Sequence, residues 1–215
     1  MRLSFNCKMK LVRLIIVATL VAGTAAQCSL DKGCSWDKLP FYCNTPAMGV
    51  LSVDYLQIKA YSGAVSCGNL FREADIGGGI NTVPYVAYPK AKAGSFYTIV
   101  MVDPDADMDG SFPTATAPGS HAPVRHWIQG NIAGADLQNA DLSKSLVVSP
   151  FHGPSPPAGS HRYGQFLFEQ PNGKIDYTPF AANASITQFD YGSWISQHQL
   201  GAPVANNWHV TEHSD

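Results

Sequence analysis

The sequence lacks the signatures of several enzyme classes. It contains no G-x-S-x-G nucleophile elbow, no H-E-x-x-H zinc helix and no C-x-x-C pair. Internal repeats and low-complexity tracts are absent too. After residue 26 the sequence contains no basic juxtamembrane cluster, so bulk charge gives no support for adsorption to anionic membranes.

The apolar run near the N-terminus, Leu14–Ala22, is too short to cross a bilayer. Four basic residues precede it and small residues follow at 23–26. This pattern is typical of a secretory signal peptide, so we expect cleavage after residue 26 and secretion to the extracellular space. The alternative is that this segment stays uncleaved as an anchor. We expect cleavage, and therefore no transmembrane segment.

Cleavage changes the charge of the chain. It removes four basic and no acidic residues, so ten basic and 16 acidic residues remain, a net charge of −6. This sign argues against nucleic acid as a partner, and an anion would have to be recognised by local groups. The length suits one domain. We predict a signal peptide over 1–26, a cysteine-containing extension over 27–44 and a single domain over 45–215.

The cysteines and one sequon agree with export. Cys28, Cys34, Cys43 and Cys67 form an even set after cleavage, which predicts two disulfides and leaves all three pairings open. Asn183 begins an N-x-S sequon, so it is a candidate for glycosylation at the surface.

The hydrophobic pattern predicts a mostly β protein. The run Phe96–Val102 is continuously β-branched and aromatic, which indicates a strand buried on both faces. Arg125–Ile132 and Arg162–Gln170 are two further strand candidates. Only Ser185–Leu200 shows helical periodicity, so few helices are expected.

Polar side chains gather where these predicted strands meet loops. Asp103 and Asp105 follow the first strand, His126 opens the second, and His161 and Tyr163 open the third. Imidazole and phenol groups in such loops can donate hydrogen bonds to a phosphate or carboxylate, and a carboxylate can fix a histidine tautomer. Each residue alone is also explained by a structural role in a turn or a hydrogen bond.

The segment GPSPPAGSHRY, residues 153–163, leads into the third strand. Pro156 and Pro157 should stiffen it, and a stiff loop can form a preorganised pocket wall. Arg162 is expected to hold that wall by pairing with an aspartate, a role that competes with direct ligand contact.

Three motifs in order resemble the phosphatidylethanolamine-binding protein family, which includes Raf kinase inhibitor proteins and plant flowering-signal proteins. YTIVMVDPDADMDG resembles the D-P-D-x-P motif of the family, HWIQGNI its H-W element and GPSPPAGSHRYGQFLFEQ its G-x-x-P-P-x-G-x-H-R-Y segment. The tail LGAPVANNWHV is similar to the ending of the family. The resemblance spans roughly residues 44–210. Asp107 departs from the motif, where proline is usual, and adds a negative charge near the rim.

The resemblance implies a sandwich-like fold of antiparallel sheets with peripheral helices and a small anion pocket. The positions that match the pocket of the family are Asp103, His126, Pro156, Pro157, His161 and Tyr163, with Asp105 and Arg162 as structural motif residues.

These observations favour a secreted, monomeric binding protein over an enzyme. The expected ligand is a phospholipid headgroup such as phosphoethanolamine or another small phosphate-like anion, with no cofactor, no metal and no catalytic residue. The alternative is a protein-interaction module that inhibits an extracellular protease or acts as a signalling ligand. An enzyme is the third reading, because two histidines near a carboxylate can perform acid–base chemistry or hold a metal.

Overall fold

The computed structural model describes residues 48–55, 64–73, 82–106, 123–178 and 185–213. The predicted signal peptide and extension lie outside these ranges. Asp107 lies outside these ranges as well. So do four candidate modification sites, which stay predictions: Cys28, Cys34, Cys43 and Asn183.

The described residues form nine strands and two short helices. In chain order they are β1 Gly49–Val50, β2 Ser52–Asp54, β3 Asn69–Arg72, β4 Tyr85–Ala87, β5 Phe96–Asp103, β6 Val124–Ala133, α1 Gly134–Gln138, β7 Leu146–Ser149, β8 Ser160–Gln170, α2 Tyr191–Gln197 and β9 Ala205–Glu212. The expectation of a mostly β protein with few helices is confirmed.

One large sheet and one small sheet make up the fold. The large sheet has the order β1-β9-β8-β5-β6-β7, and β3 also pairs with β9. Strands β5 to β9 pair antiparallel, as expected, whereas β1 and β3 run parallel to β9 at one edge. The small sheet is the antiparallel pair β2 and β4.

Both faces of β5 are buried, as its continuous apolar run predicted. Ile99 and Met101 pack in one hydrophobic cluster with residues of β2 and β4. Val100 and Val102 point to the other face and join the cluster that contains α2. The alternation of side chains along a strand therefore places one layer on each side of the sheet, which is the sandwich-like arrangement.

The helix predicted over Ser185–Leu200 is too long. Helix α2 begins only after Asp190, whose side chain accepts a hydrogen bond from the Ser193 N–H at 2.9 Å and caps the helix. The preceding residues are tied to the start of β6 instead, because the Arg125 N–H donates to the Ile186 carbonyl at 2.7 Å.

Helix α1 was not predicted, since a five-residue helix is too short to show periodicity. Its first residue is glycine for a steric reason, because a Cβ on Gly134 would overlap the Lys92 carbonyl. Among the described residues no helix has both the length and the apolar character needed to span a membrane.

Candidate functional site

A cavity of about 290 Å³ opens where β5 ends and where β6 and β8 begin. We call it the strand-end cavity. Its lining comes from these three strand ends, from the loop before β8 and from the segment before α2. The lining residues are Asp103, Ala106, Val124, His126, His152, Ser155, Pro157, His161, Ile186 and Thr187.

Asp103 is the buried carboxylate of this cavity, with an exposed fraction of 2%. It is the last residue of β5, where Pro104 removes a backbone donor and stops the ladder. Its Oδ1 accepts from the Asp105 N–H at 2.8 Å, the Asx-turn geometry that aspartate favours. Its Oδ2 accepts from the His161 Nδ1 at 2.8 Å. The carboxylate therefore fixes the orientation of the His161 ring, as expected from the sequence.

A β-bulge places His126 at the cavity. Met101 of β5 pairs with Trp127, but the next residue, Val102, pairs with Arg125, so His126 is an extra residue in β6. The ring of His126 packs edge-on against Tyr163, with centroids 5.0 Å apart. Bulges commonly redirect one side chain near a functional site, and here the redirected side chain is the histidine of the H-W element.

The imidazole of His126 is clamped by a neighbouring backbone. Its Nδ1 lies 2.8 Å from the His152 carbonyl oxygen, and the His152 N–H donates to the His126 carbonyl at 2.7 Å. A carbonyl can only accept, so Nδ1 carries a proton and the neutral ring leaves Nε2 as an acceptor. Burial lowers the pKa of His126 below its usual value, although Asp103 acts in the opposite direction.

Tyr163 lies outside the lining of the strand-end cavity, and its contact with a ligand stays a prediction. Its exposed fraction is 0%, because His126 packs edge-on against the ring while His161 and His209 stack parallel to it. Burial raises the pKa of its hydroxyl well above the usual value, and the Asp103 carboxylate, to which the hydroxyl donates a hydrogen bond, adds to this. The Tyr163 hydroxyl thus helps to hold the Asp103 carboxylate in place.

Asp105 and Arg162 form a two-pronged ion pair behind the cavity. The Arg162 Nε and Nη2 donate to the two carboxylate oxygens at 2.7 and 2.6 Å, and the Arg162 backbone N–H donates at 2.9 Å. The Asp105 side chain is fully buried. Hydrogen bonding to Asp105 raises the pKa of Arg162 above its usual value. This bidentate pair ties β8 to the loop after β5.

The two prolines of the loop before β8 have different positions. Pro157 lines the strand-end cavity, whereas Pro156 is buried and outside its lining. Pro156 packs inside the wall, and its contact with a ligand stays a prediction.

Sequence analysis missed several residues that line the strand-end cavity. His152 directly precedes the Gly153–Pro154 turn, and this position beside a rigid loop was a usable signal. Ile186 and Thr187 gave no signal, since they come from a segment about 60 residues after the H-W element. Arg125 was also missed as a buried group. Its Nε donates to the Ser149 hydroxyl at 2.9 Å.

A second cavity of about 290 Å³ lies at the opposite end of β8, and we call it the turn cavity. It is formed by the turn after β8 and the end of α2. Every lining residue is exposed or half-buried: Pro171, Asn172, Ile175, Asp176, Gln197, His198 and Gln199. Across the described part of the chain, no three histidine, cysteine or acidic residues are arranged to hold a metal ion.

Comparison with known proteins agrees with the fold. Residues 61–209 match the family model described as Phosphatidylethanolamine-binding protein. Protein MOTHER of FT and TFL1 homolog 2 from Oryza sativa subsp. japonica is 31% identical over 148 residues, which are 66% of this chain and 78% of that relative.

Two solved structures share the fold. A carboxypeptidase Y inhibitor, solved in complex with its cognate proteinase, matches with a TM-score of 0.56 at 21% identity, over 77% of this chain and 84% of the inhibitor. A phosphatidylethanolamine-binding protein from Plasmodium vivax matches with a TM-score of 0.50 at 18% identity, over 81% and 92% of the two chains. With a family model that covers more than half of its residues, the chain belongs to the phosphatidylethanolamine-binding protein family.

Proposed function

We propose that the protein binds a small phosphate-like anion, such as the phosphoethanolamine headgroup of a phospholipid, in the strand-end cavity. The observation that carries this proposal is the pair of buried histidines, His126 and His161, at one cavity whose other walls are largely apolar. Both rings are fixed by a hydrogen bond at Nδ1, to the His152 carbonyl and to Asp103 respectively. Fixed rings and low exposure to water strengthen the hydrogen bonds that a protonated imidazole makes to an anion.

The dimensions of the cavity suit a headgroup better than a whole lipid. A volume of about 290 Å³ is at the lower end of the roughly 300–1,000 Å³ typical of small-molecule sites. Val124, Pro157 and Ile186 supply apolar contact for the short carbon chain of such a ligand. Binding without catalysis is therefore the activity that we propose.

Calorimetric titration with phosphoethanolamine and with inorganic phosphate tests the proposal. Wild-type protein should bind at least one of them, and a His126→Ala/His161→Ala double variant should bind neither. A His213→Asn variant is the matched control, since His213 lies outside the lining of the cavity. Wild-type protein that binds no headgroup or phosphate at any accessible concentration would contradict the proposal.

We also propose that the protein is exported and works outside the cell. The support is the N-terminal pattern, the even set of cysteines and the Asn183 sequon. Mass spectrometry of protein secreted by a eukaryotic host should find an N-terminus near Gln27, two disulfides and a mass that falls after glycosidase treatment. Protein that stays inside the cell with residues 1–26 still attached would contradict export.

Inhibition of an extracellular protease is a second candidate function. Its support is the fold shared with the carboxypeptidase Y inhibitor, at 21% identity. A panel that includes secreted serine carboxypeptidases tests it. Activity unchanged by a large excess of this protein would remove the candidate.

A further inference from the structure

We infer that the strand-end cavity takes up one proton together with a phosphate-like anion, and that His126 holds this proton in the complex. The inference rests on the proposed function, because it concerns the same ligand and the same cavity. It adds that the ligand binds as an anion plus a proton rather than as the anion alone.

The geometry of His126 is the starting point. Its Nδ1–H is used by the His152 carbonyl at 2.8 Å in every charge state of the ring. Only Nε2 can then address a ligand, and in the neutral ring Nε2 is a lone pair that repels an anion. A proton on Nε2 turns this repulsion into a charge-assisted hydrogen bond. The ring therefore suits an anion only in its protonated form.

In the free protein, the groups around His126 do not keep its ring protonated. The titratable groups packed around it are Asp103 from β5, His161 and Tyr163 from β8, His152 from the connection after β7, and His209 from β9. The carboxylate of Asp103 already accepts hydrogen bonds from the His161 ring, the Asp105 N–H and the Tyr163 hydroxyl. The negative charge of Asp103 is thus shared among three donors, and burial remains the largest influence on the pKa of His126.

Two arginines that adjoin lining residues in the sequence, Arg125 and Arg162, are engaged elsewhere. The Arg162 guanidinium makes its bidentate pair with Asp105. The Arg125 guanidinium donates to Ser149 and lies 5.4 Å from the ring of Phe189, on the α2 side of the sheet. These two guanidinium groups are thus committed to other partners, and among the described residues protonation of His126 supplies a positive charge at the cavity.

The direction of the pH dependence follows from linkage. Burial lowers the pKa of His126 below 6.5 in the free protein, and a bound anion favours the charged ring and raises that pKa. Between these two values, binding takes up a proton and affinity falls as pH rises. For one proton the apparent Kd should increase about tenfold per pH unit above the pKa of His126 in the free protein and below its pKa in the complex.

Sulfate is the sharpest probe, because it stays a dianion in this range, whereas a phosphate monoester titrates near a pKa of about 6. The wild-type protein is titrated calorimetrically with sulfate and with phosphoethanolamine, at pH 6.5 and 7.5, in HEPES and in Tris. These buffers differ in ionisation enthalpy, so the difference in observed heat gives the number of protons taken up. We expect about one proton per sulfate bound at pH 7.5 and about tenfold weaker binding than at pH 6.5.

His126→Gln is the informative variant, because an amide can donate a hydrogen bond to the anion without taking up a proton. It should bind sulfate with a Kd that hardly changes with pH and with equal heats in the two buffers. His198→Gln, at the turn cavity, is the matched control and should behave as wild type.

The outcomes separate this inference from the function on which it rests. Wild-type binding of sulfate or phosphoethanolamine that is independent of pH and buffer overturns the proton uptake and leaves the anion site standing. Uptake that persists in His126→Gln also overturns it, since another group then holds the proton. Absence of binding to either anion at both pH values overturns the proposed function and this inference together.

Discussion

The strand-end cavity and the turn cavity enclose the same volume, about 290 Å³ each, but they are built differently. The strand-end cavity is lined by three buried ionisable side chains, Asp103, His126 and His161. The turn cavity has Asp176 and His198 in its lining, yet these are exposed and half-buried. Equal volume therefore does not make equivalent sites.

The difference between the two cavities is energetic. A buried polar group loses its bonds to water, so it must be held by other bonds and becomes fixed in one orientation. Asp103 is held in this way by the Asp105 N–H, His161 and Tyr163. The carboxylate of Asp176 accepts from the Thr178 N–H and hydroxyl in an exposed turn. Only the strand-end cavity presents a preorganised group to a ligand.

The largest expected effect is an acid-dependent loss of stability that originates at the strand-end side. His209 stacks on Tyr163, and burial lowers its pKa from 6.5 to about 3. The unfolded chain binds this proton first, so stability falls as pH drops from 6.5 to 3, by roughly 5 kcal/mol. Urea unfolding at a series of pH values should show a shallower acid loss for His209→Phe than for wild type. His198→Phe, at the turn cavity, should keep the wild-type slope, and equal slopes for all three proteins would contradict the account.

The next effect in size concerns the two aspartates. Asp103→Asn removes the buried carboxylate that holds the His161 ring and should lower the free energy of unfolding by about 3 kcal/mol, as well as abolish anion binding. Asp176→Asn changes an exposed turn and should leave the urea midpoint and the binding unchanged. Equal loss of stability in both variants would remove the distinction between the cavities.

A smaller effect is expected at the ion pair behind the strand-end cavity. Arg162→Met leaves the buried Asp105 carboxylate with the backbone N–H as its remaining described partner, which should cost about 2 kcal/mol. Lys92→Met is the matched control, because the pair of Lys92 with Glu169 is largely exposed and should contribute nothing measurable. A urea midpoint that shifts as much for Lys92→Met as for Arg162→Met would contradict this ranking.

The smallest effect is predicted for Tyr163→Phe. This change keeps the ring packed between His126 and His209 and removes only the hydroxyl that donates to Asp103. We expect a loss of about 1 kcal/mol in stability and less than about threefold in affinity. An affinity loss as large as that of the histidine double variant would show that Tyr163 contacts the ligand directly.

Much of the fold could be predicted because its signals are local. The continuous apolar run of Phe96–Val102 indicated the strand buried on both faces, and the polar residues that follow it marked the end of that strand. The pairing of Arg162 with an aspartate was expected, and the structure identifies that aspartate as Asp105.

The remaining features depend on contacts between distant segments. The bulge at His126 arises from the pairing of β5 with β6 and leaves no pattern in either strand. Ile186 and Thr187 reach the cavity because the segment before α2 is bonded to β6. The inward position of Tyr163 depends on His209, which lies on β9. Local periodicity contains no information about such pairings.

NMR of the histidine side chains in the wild-type protein is the most direct test of the central claim, that the strand-end cavity binds the anion. Long-range ¹H–¹⁵N spectra report the ring nitrogens of each histidine separately while phosphoethanolamine is added. We predict that the ring signals of His126 and His161 shift and saturate with one binding constant, while those of His198 and His213 stay in place. Saturating shifts confined to His198 would move the ligand to the turn cavity, and no saturating shift at His126 or His161 would contradict an anion site at the end of β5.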